Sequence, residues 1–120
     1  MSNGPIELEE FVLRGRSPFG LWFDSLKAVT AAKITVALTR LKEGNVSNVK
    51  SVGGGVLECK IDFGPGYRIY FASDWKKLII LLCGGDKDSQ RKDVERAKKY
   101  WNEYKERKKL EIRYGHHKKL

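Results

Sequence analysis

Apolar and polar positions alternate with a period of two over residues 57–63. Leu57, Cys59, Ile61 and Phe63 fall on one side, and Glu58, Lys60 and Asp62 on the other, as in a half-buried strand. The pattern repeats over 67–72, with Tyr67, Ile69 and Phe71 on one side and Arg68, Tyr70 and Ala72 on the other. Between the runs lies Gly64-Pro65-Gly66, whose glycines reach φ > 0 and whose proline offers no ladder donor, so a hairpin is predicted. With Phe63 placed opposite Tyr67, Ile61 faces Ile69, Asp62 faces Arg68 and Lys60 faces Tyr70, which gives a charged patch containing an aromatic ring. The run over 78–83, LIILLC, is apolar without alternation, which predicts burial on both faces and a central place in the sheet. Its exit, GGDK, delivers Lys87 to a sheet end.

Upstream, Ile6, Leu8 and Val12 occupy even positions over 5–13, with Glu10 interrupting, and predict a first strand. Ser17 followed by Pro18 is a helix start, and Phe19, Trp22, Phe23 and Leu26 recur at spacings of three and four. Thr30 is the expected cap of a second helix, with Ile34, Leu38 and Leu41 on one stripe and Gly44-Asn45 as the stop. The two form a helical hairpin over one face of the sheet. Residues 46–56, VSNVKSVGGGV, read as a loop, and the glycine triplet precedes a strand rather than opening a helix, which argues against a phosphate cradle. After Lys87, Asp88 or Ser89 caps a closing helix whose stripe is Val94, Ala97, Trp101 and Tyr104. The expected order is strand, helix, helix, three-strand meander, helix. That is an α+β class with an antiparallel sheet, the first strand lying at an edge or beside the last. One domain over 1–110 and a basic tail over 111–120 account for the chain.

Charge sharpens this picture. Of 120 residues, 24 are Lys or Arg against 15 acidic, a formal charge of +9, which favours polyanionic partners, nucleic acid first. From Asp86 onward 13 basic residues stand against 7 acidic, a net of +6. Cys59 and Cys83 both fall inside strand patterns and read as small buried hydrophobes; His116 and His117 are adjacent in the tail. No metal, cofactor or disulfide is required. The N-terminus lacks a secretory pattern and LIILLC is too short to span a bilayer, so a cytoplasmic location and no membrane partner are expected.

The stretches KSVGGGV (50–56), LECKIDFGPGYRIY (57–70) and LLCGGDKDSQ (81–90) resemble toxins of type II toxin-antitoxin modules in the RelE/ParE superfamily, and more narrowly its HigB-like "addiction module killer protein" branch. The resemblance spans roughly residues 19–104 and implies the RelE-type fold. For RNA-cleaving members it implies ribosome-dependent, metal-independent cutting of messenger RNA. There the 2′-hydroxyl attacks the adjacent phosphate to give a 2′,3′-cyclic product and a free 5′-hydroxyl. That chemistry needs a base, cations for the charge developing on phosphate oxygens and a proton for the leaving oxygen. Arg68 matches the superfamily's strand arginine and suits two phosphate oxygens at once. Lys60, Lys50 and Lys87 are the further catalytic candidates, with Tyr70 and Arg91 as additional RNA contacts. Glu58 shares the face as a candidate general base, and a lysine that loses its proton inside the cationic cluster is its competitor. No histidine precedes His116, whereas some relatives use one near the end of the last strand.

As partners the resemblance implies a cognate antitoxin, usually a small helix-turn-helix protein, the ribosome with its messenger RNA, and operator DNA through the antitoxin complex. Two other functions compete: a ParE-type gyrase inhibitor without catalytic activity, and a basic RNA-binding module that does not cleave. Basic residues converging on strands and at Lys87 favour the endonuclease, because a pure binder does not need them. The plain alternative for Lys60, Asp62, Arg68 and Tyr70 is a solvated sheet face with a cross-strand ion pair.

Overall fold

The structure is a computed structural model that describes residues 5–118, with side chains described over 5–113; residues 1–4, 119 and 120, the end of the expected tail among them, lie outside the described residues. Along the chain run β1 (Glu7–Glu10), α1 (Pro18–Asp24), α2 (Ala28–Lys42), β2 (Val49–Gly53), β3 (Val56–Ile61), β4 (Tyr67–Ser73), β5 (Leu78–Asp86) and α3 (Gln90–Lys118). The class is α+β. The five strands form one mixed sheet in the order β1-β5-β4-β3-β2, with β1 parallel to β5 and the other neighbours antiparallel. β5, apolar throughout its first half, lies inside the sheet as its composition requires.

Helices cover both faces. On one, Phe19 of α1 and Ile34, Ala37 and Leu41 of α2 pack against Cys59, Ile61, Ile69, Phe71, Ile79 and Leu81. On the other, Ala97 and Trp101 of α3 pack against Val56, Tyr70, Ala72, Ile80, Leu82 and Cys83. A bulge between Tyr70 and Phe71 pairs Tyr70 with Cys83 and Phe71 with Leu81, which leaves Leu82 as the extra residue on β5. Ser17 caps α1 by accepting from the Gly20 N–H at 2.8 Å, with Pro18 in the first helical turn.

Several expectations are corrected. The hairpin register is two residues away from the one predicted: Ile61 pairs with Tyr67, Lys60 with Arg68, Cys59 with Ile69 and Glu58 with Tyr70. The cause is local. The Phe63 N–H donates to the Ile61 carbonyl at 3.0 Å and the Gly66 N–H to the Phe63 carbonyl at 2.9 Å, so Asp62 and Phe63 belong to the turn. The segment read as a loop contains β2, which makes the meander four-stranded. Gly54 and Gly55, at φ 65 and 86, form its two-residue turn into β3. Thr30 does not cap α2; Lys27 occupies that position, and Thr30 is buried within the helix. β1 is shorter than expected. Val12 is exposed, and Phe11 instead enters the core beneath α3, stacked on Tyr100. Finally, α3 continues to Lys118, so residues 111–118 of the expected tail extend the helix.

Candidate functional site

The polar face of the β3–β4 hairpin is covered at Glu58, Arg68 and Tyr70, while Lys60 stays exposed. α3 lies over it, and Glu58 and Arg68 are buried at 2% and 7% exposure, with Tyr70 fully enclosed. A carboxylate so placed is stable only when its lone pairs are matched by donors or cations. Glu58 meets that requirement with four side chains from three elements, β2, β4 and α3. The Tyr70 hydroxyl donates to its Oε2 at 2.9 Å and the Gln90 side-chain amide donates to the same oxygen at 3.1 Å. Lys50 Nζ stands 3.8 Å from Oε1 and Arg68 Nε 3.9 Å from Oε2.

Arg68 itself is only partly satisfied. One terminal nitrogen makes a long contact, 3.4 Å, to the Gly66 carbonyl. Its Nε is the one buried side-chain polar atom without a hydrogen-bond partner among the described residues, since the contact to Glu58 is an ion pair too long to be a hydrogen bond. The Gly66 carbonyl also accepts the backbone N–H of Lys87 at 3.0 Å, which ties the start of the α3 segment to the arginine's strand.

Above this layer lies an open groove of about 750 Å³ between β2 and the first turns of α3. Lys50, Lys87, Arg91 and Lys98 line it, against Asp88 and Glu95. Lys50 and Gln90 belong to both the groove wall and the Glu58 cluster, so the buried carboxylate sits directly behind the cationic surface. The structure thus brings Lys50, Glu58, Arg68, Tyr70, Lys87 and Arg91 together. Lys60 stands apart: its ammonium is 3.9 Å from Asp62 and it lines a different cavity, beside α2. Gln90 was absent from the sequence candidates. Its place one residue after the capping Ser89 is the only signal that could have drawn attention to it.

Protonation follows from burial. Desolvation first, and then the hydrogen bond to Glu58, push the Tyr70 phenol well above the ordinary tyrosine range, so it remains a donor. Burial likewise pushes the Cys83 thiol up to about 12 and raises that of Cys59, where the Glu58 charge adds to the effect. Both thiols are free, and neither environment makes a nucleophile.

The glycines of this region serve close packing. A Cβ on Gly55 would lie 2.9 Å from Trp101 Nε1, and one on Gly84 would lie 2.3 Å from the Trp22 ring. The triplet is therefore where α3 rests on the β2–β3 hairpin, and Gly84 is where α1 rests on β5.

Fold and site together define a small α+β protein with a cationic groove backed by a buried Glu–Arg–Tyr cluster. Residues 21–105 match the family described as "Phage derived protein Gp49-like (DUF891)". A Haemophilus influenzae protein, described as "Uncharacterized protein", is 47% identical over 81 residues, which cover 67% of this chain and 82% of that relative. The chain belongs to the Gp49-like family, within the RelE/ParE-like toxin superfamily. Among the described residues no helix is long and apolar enough to cross a membrane.

Proposed function

We propose that the protein is the toxin of a type II toxin-antitoxin module, of the HigB-like kind, and that it cleaves messenger RNA on the ribosome without a metal. One observation carries the reading: a buried arginine whose Nε has no hydrogen-bond partner, linked through Glu58 to a groove lined by four cations. A desolvated guanidinium held by only one long hydrogen bond and one loose ion pair keeps donor capacity for an anionic group, and a phosphodiester entering from the groove supplies one. In the reaction the substrate's 2′-oxygen forms a bond to phosphorus as its proton leaves. The bond from phosphorus to the 5′-oxygen breaks, and that oxygen takes up a proton.

Arg68 would stabilise the phosphorane's oxygens, with Lys87 supporting it from the same sheet end. Glu58 is already matched by Tyr70, Gln90, Lys50 and Arg68, so its part is to fix Arg68 and Lys50 in place. Proton transfer then falls to the groove lysines, Lys50 foremost. A cognate antitoxin with a helix-turn-helix fold would hold the toxin inactive, and their complex would occupy operator DNA.

The test combines purified protein, a defined messenger RNA and translating ribosomes, with Arg68→Ala and ribosome-free controls, and maps 5′ ends by primer extension. Cuts that need both Arg68 and the ribosome are expected. Intact RNA in every lane would reject the endonuclease and turn attention to gyrase, where a supercoiling assay decides.

A further inference from the structure

A second cationic cavity lies on the opposite face of the sheet, between α2 and the end of β3, with a volume of about 270 Å³. Lys33 and Arg40, seven residues apart on α2, fall two turns apart on one face of the helix and both line it. The Lys33 ammonium sits 5.2 Å from the centre of the Phe63 ring. Arg40 has no ion-pair partner among the described residues, and the cavity's one carboxylate, Asp62, is 90% exposed and stands 3.9 Å from Lys60. The last carbonyls of α2, which would repel an anion, already accept the N–H groups of Glu43, Gly44 and Asn45. The Asn45 side-chain oxygen accepts from the Ser47 N–H and hydroxyl, which leaves its amide nitrogen as a donor on the lining. The floor is apolar, made of Ala37, Cys59, Ile61 and the Phe63 ring.

Cations at the rim, an aromatic ring and an apolar floor in so small a volume match one nucleotide, with phosphate outside and base within. Position adds a direction. Asp62 and Phe63 of the lining belong to the β3–β4 turn, the sheet end at which the Gly66 carbonyl meets Arg68 and the Lys87 N–H, so a strand rounding that end reaches both faces. We propose that this cavity is a second subsite, holding one nucleotide of the same single RNA strand that passes Arg68, its phosphate on Lys33 and Arg40 and its base against Phe63. The identity of the strand rests on the endonuclease reading; the anion site does not.

The experiment is fluorescence anisotropy with a 2′-O-methyl RNA strand of about twelve nucleotides, which lacks the attacking hydroxyl, titrated against salt, with adenosine monophosphate as competitor. The proteins are wild type and the Lys33→Ala/Arg40→Ala double variant. Both residues are exposed, so the variant keeps its core, and circular dichroism verifies that. We expect the variant to bind the strand about tenfold more weakly, with the salt slope reduced by about 0.7, one phosphate contact. An unchanged affinity and slope would overturn the subsite. A mononucleotide that displaces the strand at equal affinity would overturn the strand as its ligand. The two readings fail separately. Strand binding that depends on Arg40 in a protein that cuts nothing rejects the endonuclease alone, whereas cleavage with unaltered binding in the double variant rejects the subsite alone.

Discussion

Two carboxylates are buried between α3 and the sheet, each at 2% exposure, and they differ in how their surroundings close. Asp93 belongs to a finished cap. The Ser89 hydroxyl donates to it, Arg96 pairs with its other oxygen at 3.2 Å, and the Asp93 backbone carbonyl accepts from the Cys83 thiol. Asp86 completes the turn by accepting the N–H groups of Asp88 and Ser89. Glu58 gathers donors just as tightly but ends in an arginine whose Nε has no acceptor. Both clusters satisfy their carboxylate, and only one leaves an unmatched cationic donor. A closed set of hydrogen bonds stabilises a fold, while an open one adds a binding capacity at some cost in stability. On the proposed function, the contrast makes Asp93 a structural carboxylate and Glu58 the support of Arg68.

The largest effect is expected on the closed side. A Cβ on Gly85 would come within 1.8 Å of Asp93 Oδ2 and 2.7 Å of Ser89 Oγ. Gly85→Ala should therefore cost about 3 kcal/mol, at the top of the range for overpacking, measured by urea denaturation. In an Asp93→Ala background the same change should cost far less, a coupling of about 2 kcal/mol. Additive costs would show that the cap is not what Gly85 serves.

Next comes a matched pair. Asp93→Asn removes the charge that faces Arg96, and should lower stability by about 2 kcal/mol while leaving the cleavage rate of the folded protein unchanged. Glu58→Gln removes the charge that fixes Arg68 and Lys50, and should slow cleavage at least about tenfold at saturating RNA. If the two variants lost rate equally, the division between structural and functional carboxylates would fail.

Sequence pattern revealed the faces of the sheet but not who meets whom. A slip of two residues leaves every side chain on the same face, because the side-chain period is two, so alternation could not distinguish the expected Lys60–Tyr70 pairing from the observed Glu58–Tyr70 one. The helix start at Ser17-Pro18 was legible because capping is local chemistry. β2 was not, since an edge strand of the form VKSVG carries little apolar signal and draws its order from pairing with β3; the glycine pair after it, a known hairpin signal, was the missed clue. Nor could pattern show that α3 buries the polar face. The stripe of Val94, Ala97, Trp101 and Tyr104 was legible and does pack on the sheet, but its period does not tell which face of the sheet it covers. Arg68, Lys50, Lys87 and Glu58 could be named from the sequence. That Glu58 is enclosed by donors is a tertiary fact.

A smaller effect tests the Tyr70–Glu58 bond. Tyr70→Phe should cost about 1.5 kcal/mol at neutral pH, as expected for a hydrogen bond to a charged group. The cost should also depend on pH. Below about pH 10 the phenol holds its proton in both folded and unfolded chains. Above that, the unfolded chain releases the proton first, because the folded-state pKa is raised. The native state then binds more protons, and wild-type stability falls by about 1.4 kcal/mol per pH unit from this group. Phe lacks the group, so the gap between wild type and variant should close as pH rises past 10. A constant gap would mean the phenol is not held as the geometry indicates.

The smallest effect falls in the groove. Arg91 lines it and has no ion-pair partner among the described residues, so its contribution to an RNA strand is one solvent-screened phosphate contact. Arg91→Ala should weaken strand binding about threefold, lower the salt slope by about 0.7 and leave the rate at saturating RNA unaltered. Arg68→Ala should do the reverse, with a rate loss of about a hundredfold and a modest change in affinity. The opposition follows from desolvation. An exposed cation meets the phosphate equally in ground and transition states, whereas a buried guanidinium strengthens its interaction as charge develops on the phosphate oxygens. If Arg68→Ala lost affinity and rate in step, Arg68 would be one more binding cation, and the open cluster around Glu58 would mark a binding module that does not cleave.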